Sequence, residues 1–251
     1  MLSELRHKHI EDYLKEVEFA SLEELSEKLE VSVSTVRRDL TQIEEKGVVR
    51  RTHGGARLID QKKDDYVFTT RQEVERESKV AVAKACAELI APNQNLFMDG
   101  GSTVFTVAQH LEAKAPHIVT NSLPIANFYS SHRDIEVIVS GGVIYPRLQV
   151  MVGELALRTY QSLNADIAIL GGGGATEEGV MNSHTLLIEI QRAMITSAQK
   201  VIVCLDYSKI GRQSFTPLCG WDAVDILITN RQASEPLLDH IRKQNVDVLL
   251  A

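Results

Sequence analysis

The sequence has few of the features that mark secreted or membrane proteins. It contains three cysteines, Cys86, Cys204 and Cys219, an odd number at wide spacings, which predicts buried and reduced thiols. It has no apolar run of about 18 residues, and its first nine residues are too charged for the apolar core of a signal peptide. We therefore expect a soluble, cytoplasmic protein with no membrane partner.

The sequence motifs of several enzyme classes are also missing. The sequence has no His-Glu-x-x-His, Cys-x-x-Cys, Gly-x-Ser-x-Gly or Gly-x-x-x-x-Gly-Lys, and its eight histidines are scattered. The four glycines from Gly171 to Gly174 do not have the Gly-x-Gly-x-x-Gly spacing of a dinucleotide-binding fold. These absences give no reason to expect a metal ion or a cofactor.

Length and charge indicate two unequal domains, one of them locally basic. The 251 residues, 44% of them hydrophobic, suffice for a small domain and a medium one. The net charge of −7 argues against a protein that coats nucleic acid indiscriminately, yet residues 34–58 carry six basic and three acidic side chains. A protein that reads DNA needs a basic surface only where it docks.

The N-terminal part predicts three short helices. Apolar residues recur at helical period over residues 3–17, and Ser21 and Glu24 have the spacing of a capping box that starts a second helix. Ser32 can cap a third helix. The residues expected to face the core from the second and third helices are Leu22, Leu25, Leu29, Val33, Val36, Leu40 and Ile43.

A wing and a linker follow the third helix. Two short extended segments flank Gly54-Gly55 and predict a two-stranded wing. The chain then turns polar and charged, which predicts a linker. We therefore expect a first domain at residues 1–58, a linker at 59–76 and a second domain at 77–251.

The third predicted helix carries a polar face opposite its apolar stripe. Ser34, Arg37, Arg38 and Thr41 are spaced i, i+3, i+4 and i+7, so they project from one side. Hydroxyls and guanidiniums on one exposed face are what a helix in the major groove needs. The alternative is an ordinary solvated face. The capped helix before it and the basic wing after it favour a recognition helix.

From residue 78 onward, apolar runs alternate with helical patterns. Strands rich in Val, Ile and Leu that alternate with helices predict a mostly parallel sheet covered on both faces. The second domain is therefore predicted to be α/β. The runs are Leu96–Met98, His117–Val119, Ile135–Val139, Asp166–Leu170, Val201–Leu205, Asp225–Ile228 and Val246–Leu250.

Small and polar residues follow these runs, at the sheet edge where open parallel sheets bind ligands. In the stretch from Leu96 to Phe105, Ser102 and Thr103 would start a helix, where free amides and the helix dipole suit a phosphate. Asp99 could accept hydrogen bonds from sugar hydroxyls. The alternatives are ordinary loops: Gly141-Gly142 can be a simple turn, and Lys209 a surface lysine.

Several of these segments together resemble the DeoR family of bacterial transcriptional regulators. The resemblance lies in Val31–Leu40 and in the following segment to Ala56. It continues in the motifs Asp99-Gly100-Gly101-Ser102-Thr103, Thr120-Asn121-Ser122, Gly141-Gly142, Arg192-Ala193-Met194-Ile195 and Asp206–Gly211. It covers almost the whole chain. It implies a winged helix-turn-helix domain that binds operator DNA, followed by a sensor domain similar to sugar-phosphate isomerases, with a phosphorylated sugar as effector.

The predicted site residues follow from the residues and the resemblance together. The predicted DNA-binding residues are Ser34, Thr35, Arg37, Arg38, Thr41, Arg50, Arg51 and His53. The predicted effector-binding residues are Asp99, Gly100, Gly101, Ser102, Thr103, Thr120, Asn121, Ser122, Gly141, Gly142, Gly171 and Lys209. Many family members carry Glu-Ala where this chain has Leu187-Ile188, which leaves the roles of Glu189 and His184 open.

An isomerase-like enzyme is the alternative. Asp99, Asp206 and Lys209 could serve as its base and its enediolate-stabilising groups. An isomerase has no use for a recognition helix and a basic wing, so we predict a regulator, most simply a repressor of carbohydrate genes, that has no enzymatic activity. Its expected partners are operator DNA, a phosphorylated sugar and further copies of itself in a dimer or tetramer.

Overall fold

The computed structural model describes residues 3–17, 19–45, 48–52, 54–58, 67–111, 117–133 and 135–251. The chain divides into two units, Met1–Asp65 and Tyr66–Ala251, which we call the N-terminal and C-terminal units. The division falls inside the predicted linker, residues 59–76.

The N-terminal unit contains the three predicted helices and a small sheet. The sheet is antiparallel with the order β1-β3-β2, so it has three strands where the sequence predicts two. The additional strand, β1, is three residues long and too short to show an alternating pattern. The elements are α1 (Ser3–Val17), β1 (Phe19–Ser21), α2 (Leu22–Leu29), α3 (Val33–Glu45), β2 (Val49–Thr52) and β3 (Gly55–Leu58).

Local hydrogen bonds set the helix boundaries as predicted. The Ser21 hydroxyl accepts from the Glu24 amide, and the Glu24 carboxylate accepts from the Ser21 amide, which completes the capping box of α2. Glu30 ends α2 in the left-handed conformation. The Ser32 hydroxyl then accepts from the Thr35 amide at the start of α3. The three helices pack around one core that includes Leu25, Val36, Leu40 and Ile43.

The C-terminal unit is α/β, as the sequence predicts. Its helices are α4 (Phe68–Glu73), α5 (Arg76–Leu89), α6 (Ser102–His110), α7 (Leu123–Tyr129), α8 (Glu154–Gln161), α9 (Thr185–Thr196) and α10 (Glu235–Arg242). Its strands are β4 (Asn95–Met98), β5 (His117–Thr120), β6 (Glu136–Val139), β7 (Val143–Tyr145), β8 (Val150–Val152), β9 (Ala165–Leu170), β10 (Gly174–Thr176), β11 (Gly179–Asn182), β12 (Ala198–Cys204), β13 (Thr216–Cys219), β14 (Ile226–Thr229) and β15 (Asp247–Leu250).

Seven of these strands form one parallel sheet in the order β15-β14-β12-β9-β4-β5-β6. They coincide with the seven predicted apolar runs. Both faces of the sheet are buried, since Leu96 and Met98 of β4 belong to the core formed with α5 and α6, while Phe97 packs edge-on against Tyr160 of α8 on the other face. Burial on both faces explains why the central strands carry continuous apolar runs.

The strand order reverses direction at one point. From β4 the chain adds β5 and β6 on one side, whereas β9, β12, β14 and β15 lie on the other side. Ligands bind open parallel sheets in the crevice beside such a reversal, at the carboxyl ends of the strands. The crevice between the ends of β4 and β9 is therefore the favoured position for a site.

The remaining elements are ones that the sequence does not predict. They are the β7–β8 hairpin, the sheet β10-β11-β13 and α4, which occupies part of the predicted linker. Helix α4 is only six residues long, and its Phe68 is buried, with the ring meeting that of Phe105 edge-on at 5.8 Å. A helix this short, which depends on tertiary contacts, has no periodicity to detect. Within the described residues, no helix is long and apolar enough to cross a membrane.

Candidate functional sites

The outward face of α3 is as predicted. Ser34, Arg37 and Arg38 are exposed and Thr41 is half-buried, on the side opposite the buried stripe. Among the described residues, no hydrogen bond or ion pair engages the guanidinium of Arg37 or Arg38. These two cations are therefore available to an external acceptor.

The residue that follows them, Asp39, faces inward and is 2% exposed. The Arg6 guanidinium of α1 donates from Nε to Asp39 Oδ2 at 2.7 Å and from Nη2 to Oδ1 at 2.9 Å, and His7 Nε2 lies 3.3 Å from Oδ1. Burial alone would raise the pKa of Asp39, but the hydrogen bonds and charge of Arg6, with a smaller effect of His7, hold that pKa below its usual value. This pair fixes α3 to α1.

Two other predicted DNA-binding residues are bonded to each other. Arg51 Nη1 donates to Thr41 Oγ1 at 2.6 Å, and Arg51 Nε pairs with Glu44 Oε2 at 2.8 Å. The Arg51 amide also donates to Glu44 Oε1 at 2.9 Å. These bonds join β2 to α3, so Arg51 and Thr41 align the wing with the helix.

The remaining predicted DNA-binding residues lie at the start of α3 or in the wing. The Thr35 and Ser34 hydroxyls lie 2.9 Å and 2.8 Å from the Ser32 hydroxyl at the start of α3. His53 and the side chain of Arg50 lie outside the described residues.

In the C-terminal unit, Asp99 lies at the crevice between β4 and β9. It is 3% exposed, and its Oδ2 accepts from the Gly171 amide at 3.2 Å and from Gln191 Nε2 at 2.7 Å. Its Oδ1 is buried without a hydrogen-bond partner in the part of the chain that the structure describes. Burial raises the pKa of Asp99, and the neighbouring Gly100 backbone, together with Gln191 and Gly171, opposes that shift. Asp99 therefore keeps one oxygen for an additional donor.

The N-terminus of α6 adjoins Asp99 in the chain. Gly101 precedes the helix without a side-chain cap, and the first helical hydrogen bond runs from the Phe105 amide to the Gly101 carbonyl. The amides of residues 102–104 consequently have no acceptor within the helix. The Ser102 hydroxyl is buried and, within the described ranges, has no hydrogen-bond partner. Three amides and a hydroxyl at a helix N-terminus can hold an anion.

Gly100 is required by close packing. A Cβ atom at this position would lie 2.2 Å from Cγ1 of Val150 on β8. Glycine therefore allows β8 to lie against the loop between β4 and α6.

Thr120, Asn121 and Ser122, at the end of β5 and before α7, differ in whether their polar atoms are already hydrogen-bonded. Thr120 Oγ1 donates to the Met98 carbonyl at 2.8 Å, and the Ser122 hydroxyl accepts from the Ile125 amide at 3.4 Å at the start of α7. Asn121 Nδ2 donates to the Met151 carbonyl at 3.3 Å, whereas its Oδ1 is buried with no partner among the residues of known placement. Asn121 is thus the member of this triplet with an unused acceptor.

Gly141, Gly142 and Lys209 have other local roles. Gly141 and Gly142 lie between β6 and β7 and have φ of 69° and 111°. A Cβ on Gly142 would lie 2.5 Å from the Val152 carbonyl oxygen, so glycine allows the start of β7 to pack against the end of β8. Lys209 ends the 3₁₀ turn Tyr207–Lys209 after β12 and is half-buried. Because β9 lies between β12 and β4 in the sheet, Lys209 and Asp99 follow strands that are not neighbours.

Sequence reasoning missed a buried lysine in this region. Lys79 of α5 is 4% exposed and donates from Nζ to the carbonyl oxygens of Arg71 and Val74 at the end of α4. Burial lowers its pKa to about 8; Arg71 and Lys209 act in the same direction, and Asp206 opposes the shift. The charge of Arg71 also lowers the pKa of Asp99. Arg71 therefore supplies positive potential near the crevice.

Gln191 was missed for the same reason as Lys79. Both are polar residues on an apolar helix stripe: Lys79 is in phase with Val82 and Cys86, and Gln191 with Leu187 and Met194. A polar residue in such a stripe is a sequence signal for a buried, bonded side chain.

Glu189 and His184, whose roles the sequence leaves open, lie in different surroundings. Glu189 is exposed on α9. His184 precedes α9, and its ring centroid lies 5.5 Å from that of Tyr145. Burial, with the charges of Arg71 and Arg147, lowers the pKa of His184.

An exposed basic helix on a winged unit, together with a sheet crevice on an α/β unit, is the arrangement expected of a DNA-binding regulator with a sensor domain. The sequence matches the family model of the DeoR-like helix-turn-helix domain over residues 6–62 and that of the DeoR C terminal sensor domain over residues 74–231. The chain belongs to the DeoR family of transcriptional regulators.

Related proteins are matched over nearly their full length. The HTH-type transcriptional repressor GlcR of Bacillus subtilis is 31% identical, over 100% of this chain and 97% of that protein. The HTH-type transcriptional regulator UlaR of Shigella sonnei is 29% identical, over 97% of each. A crystal structure of ribose 5 phosphate isomerase A from Neisseria gonorrhoeae is 16% identical over 54% of each chain, with a TM-score of 0.40; this likeness concerns the fold alone.

Proposed function

We propose that the protein is a repressor whose operator binding is controlled by a phosphorylated sugar bound between the carboxyl ends of β4 and β9. One observation carries this proposal. Asp99 Oδ1, Ser102 Oγ and Asn121 Oδ1 are buried polar atoms without partners in the described structure, and all three follow β4 or β5 at the same sheet edge. Buried polar atoms are nearly always bonded, so three unpaired ones together indicate a ligand.

The phosphate of the effector would bind at the start of α6. The amides of residues 102–104, the Ser102 hydroxyl and the positive end of the helix dipole all favour an anion there. Arg71 adds positive charge from α4. Lys209 is a second candidate cation at this edge.

The sugar would bind at the two acceptor oxygens. Asp99 Oδ1 and Asn121 Oδ1 can each accept a hydrogen bond from a sugar hydroxyl. The identity of the sugar depends on which hydroxyls reach these two atoms.

The operator and the effector are linked ligands. If the sugar phosphate binds more tightly to the form that does not bind DNA, it weakens operator binding by the factor by which DNA weakens sugar-phosphate binding. Paired recognition helices of a dimer, or of two dimers in a tetramer, would match a palindromic operator. Such a regulator acts where the chromosome is, in the cytoplasm.

The bonding of the acids favours sensing over isomerisation. Asp99 Oδ2 already accepts two N–H groups, and Asp206 Oδ1 accepts from the Ser208 amide and hydroxyl. Lys209 follows β12, which is not adjacent to β4. A base and an enediolate-stabilising group would have to face the same substrate carbon.

Fluorescence anisotropy on the promoter beside the gene tests the proposal. Labelled promoter DNA is titrated with the protein at fixed salt, and the complex is then titrated with pentose and hexose phosphates and with inorganic phosphate. We expect specific binding, and one sugar phosphate that weakens it. The same sugar phosphates incubated with the protein alone should show no turnover. Absence of any effector response, or turnover at ordinary enzyme rates, would overturn the proposal.

Replacing Asp99 by alanine should leave operator binding intact and reduce the response to the effector. Hydrogen bonds to a charged group contribute about 1.5–3 kcal/mol, so we expect the effector concentration at half response to rise roughly 10- to 100-fold. Anisotropy titrations of both variants against wild type measure the change. Asp247→Ala, at an exposed acid on β15, is the matched control. An unaltered response of Asp99→Ala would remove Asp99 from the site.

A further inference from the structure

A chain of buried side-chain amides leads away from Asp99. Gln191 Nε2 donates to Asp99 Oδ2 at 2.7 Å, and Gln191 Oε1 accepts from Asn182 Nδ2 at 2.7 Å. Asn182 Oδ1 accepts from the Ser183 amide at 2.7 Å. Gln191 is 0% exposed, and Asn182 and Asp99 are also buried. The chain connects the crevice to the end of β11.

The direction of every hydrogen bond in this chain is determined. The Ser183 amide can only donate, so Asn182 Oδ1 must accept and Asn182 Nδ2 must face Gln191. Gln191 therefore presents Oε1 to Asn182 and only Nε2 to Asp99. Since the Gly171 amide donates to the same oxygen, Asp99 Oδ2 can only accept. This fixes Oδ1 as the atom of Asp99 that is left for a ligand.

We propose that Gln191 is a positioning residue that holds Asp99 Oδ1 towards the bound sugar and thereby determines which sugar phosphates the site accepts. The inference rests on the proposed function of the crevice. The accepted ligands would carry a hydroxyl or amino donor for Asp99 Oδ1 in addition to the phosphate at α6. Gln191 does not itself touch the ligand.

A neutral partner is suited to this role. Among the described residues, no Lys, Arg or His forms an ion pair with Asp99. A cation bonded to Oδ2 would neutralise the carboxylate, whereas an amide orients it and leaves its charge for the ligand. Two titratable groups act on the pair: Arg71 of α4, whose charge favours ionised Asp99, and Tyr160 of α8, a buried phenol whose pKa burial raises well above its usual value.

The test compares Gln191→Glu and Gln191→Met with wild type by isothermal titration calorimetry. The probes are glucose 6-phosphate, fructose 6-phosphate, ribose 5-phosphate and inorganic phosphate, each measured at several pH values from 5.5 to 8. Gln199→Glu, at an exposed glutamine on β12, is the control for the added charge. The readout is the ratio of the Kd for inorganic phosphate to the Kd for the best sugar phosphate.

Gln191→Glu should make this ratio depend on pH. Two carboxylates at hydrogen-bonding distance share one proton. At low pH the introduced acid can still donate to Asp99 Oδ2, but at pH 8 the shared proton is lost and the two groups repel. We expect the ratio to fall at least 10-fold at pH 8 and to recover towards pH 5.5. Gln191→Met should lower it at every pH, with inorganic phosphate binding unchanged in both variants.

The outcomes separate the two proposals. If wild type prefers none of the sugar phosphates to inorganic phosphate, the proposed function fails, and this inference with it. If wild type discriminates and both variants keep its ratio at every pH, the positioning role alone is overturned. Loss of inorganic phosphate binding in both variants, or the same pH dependence in Gln199→Glu, would also overturn it.

Discussion

Replacing Arg37 and Arg38 together by alanine should abolish operator binding while sugar-phosphate binding stays unchanged. Both guanidiniums project from the exposed face of α3, and no bond among the described residues engages them. A bidentate arginine contact to a base contributes about 1–3 kcal/mol, so loss of two should weaken specific binding roughly 10²- to 10⁴-fold. Anisotropy with labelled promoter DNA measures the loss, and calorimetry with the effector checks the sensor.

Control variants show whether the face reads sequence or only attracts phosphate. The double substitution of Arg76 and Arg158, both exposed in the C-terminal unit, removes the same charge elsewhere. Lysine at positions 37 and 38 keeps the charge but not the planar bidentate donor, so it should retain salt-dependent binding and lose preference for the operator. Tight, sequence-specific binding by the double alanine variant would show that α3 is not the recognition helix.

Replacing Asp39 by alanine should destabilise the N-terminal unit by about 1.5–3 kcal/mol, because the charge-assisted hydrogen bonds between α3 and Arg6 of α1 would be lost. We expect amide exchange in α3 to become roughly 10- to 100-fold faster, which hydrogen-exchange mass spectrometry on the full chain measures. Exchange in the C-terminal unit should not change. Operator binding should be lost as well, although Asp39 does not face the DNA-reading side.

The pH dependence of this contribution has a defined sign. The pKa of Asp39 is lower in the folded state, so the pair stabilises the fold above the unfolded-state pKa of about 4 and ceases to do so as the pH falls through the folded-state value. Glu154→Ala breaks the exposed Glu154–Arg158 pair and should have little effect at any pH. Unchanged exchange in α3 of Asp39→Ala at neutral pH would contradict the assigned role.

The sequence predicts the large sheet well because its central strands are buried on both faces. Each of the seven strands contains an apolar run that is shorter than the helical patterns between the strands. The strands β1 and β13 are three and four residues long and depend on partners far along the chain, so no local pattern marks them. The same holds for α4, which is fixed by Phe105 and Arg147.

The position of the candidate effector site can be predicted from the sequence, but the hydrogen-bond partners of the buried acids cannot. The strand ends locate Asp99, Ser102 and Asn121 at one edge, which follows from topology alone. The partners of the acids do not follow, since Gln191 lies 92 residues from Asp99, and Arg6 lies 33 residues from Asp39. Only the unexpected polar residue in an apolar stripe hints at such a pairing.

The two faces of α3 have a consequence for how such regulators diverge. Arg38 and Asp39 are neighbours in the chain but have different roles. Arg38 faces solvent, where it can contact DNA, whereas Asp39 is buried and bonded to Arg6, where it stabilises the domain. After a gene duplication, the outward positions can change and redirect the protein to a new promoter without disturbing the domain. A change at Asp39 weakens the packing of α3 and with it all operator binding, so new specificities should arise at the exposed positions beside this residue and not at it.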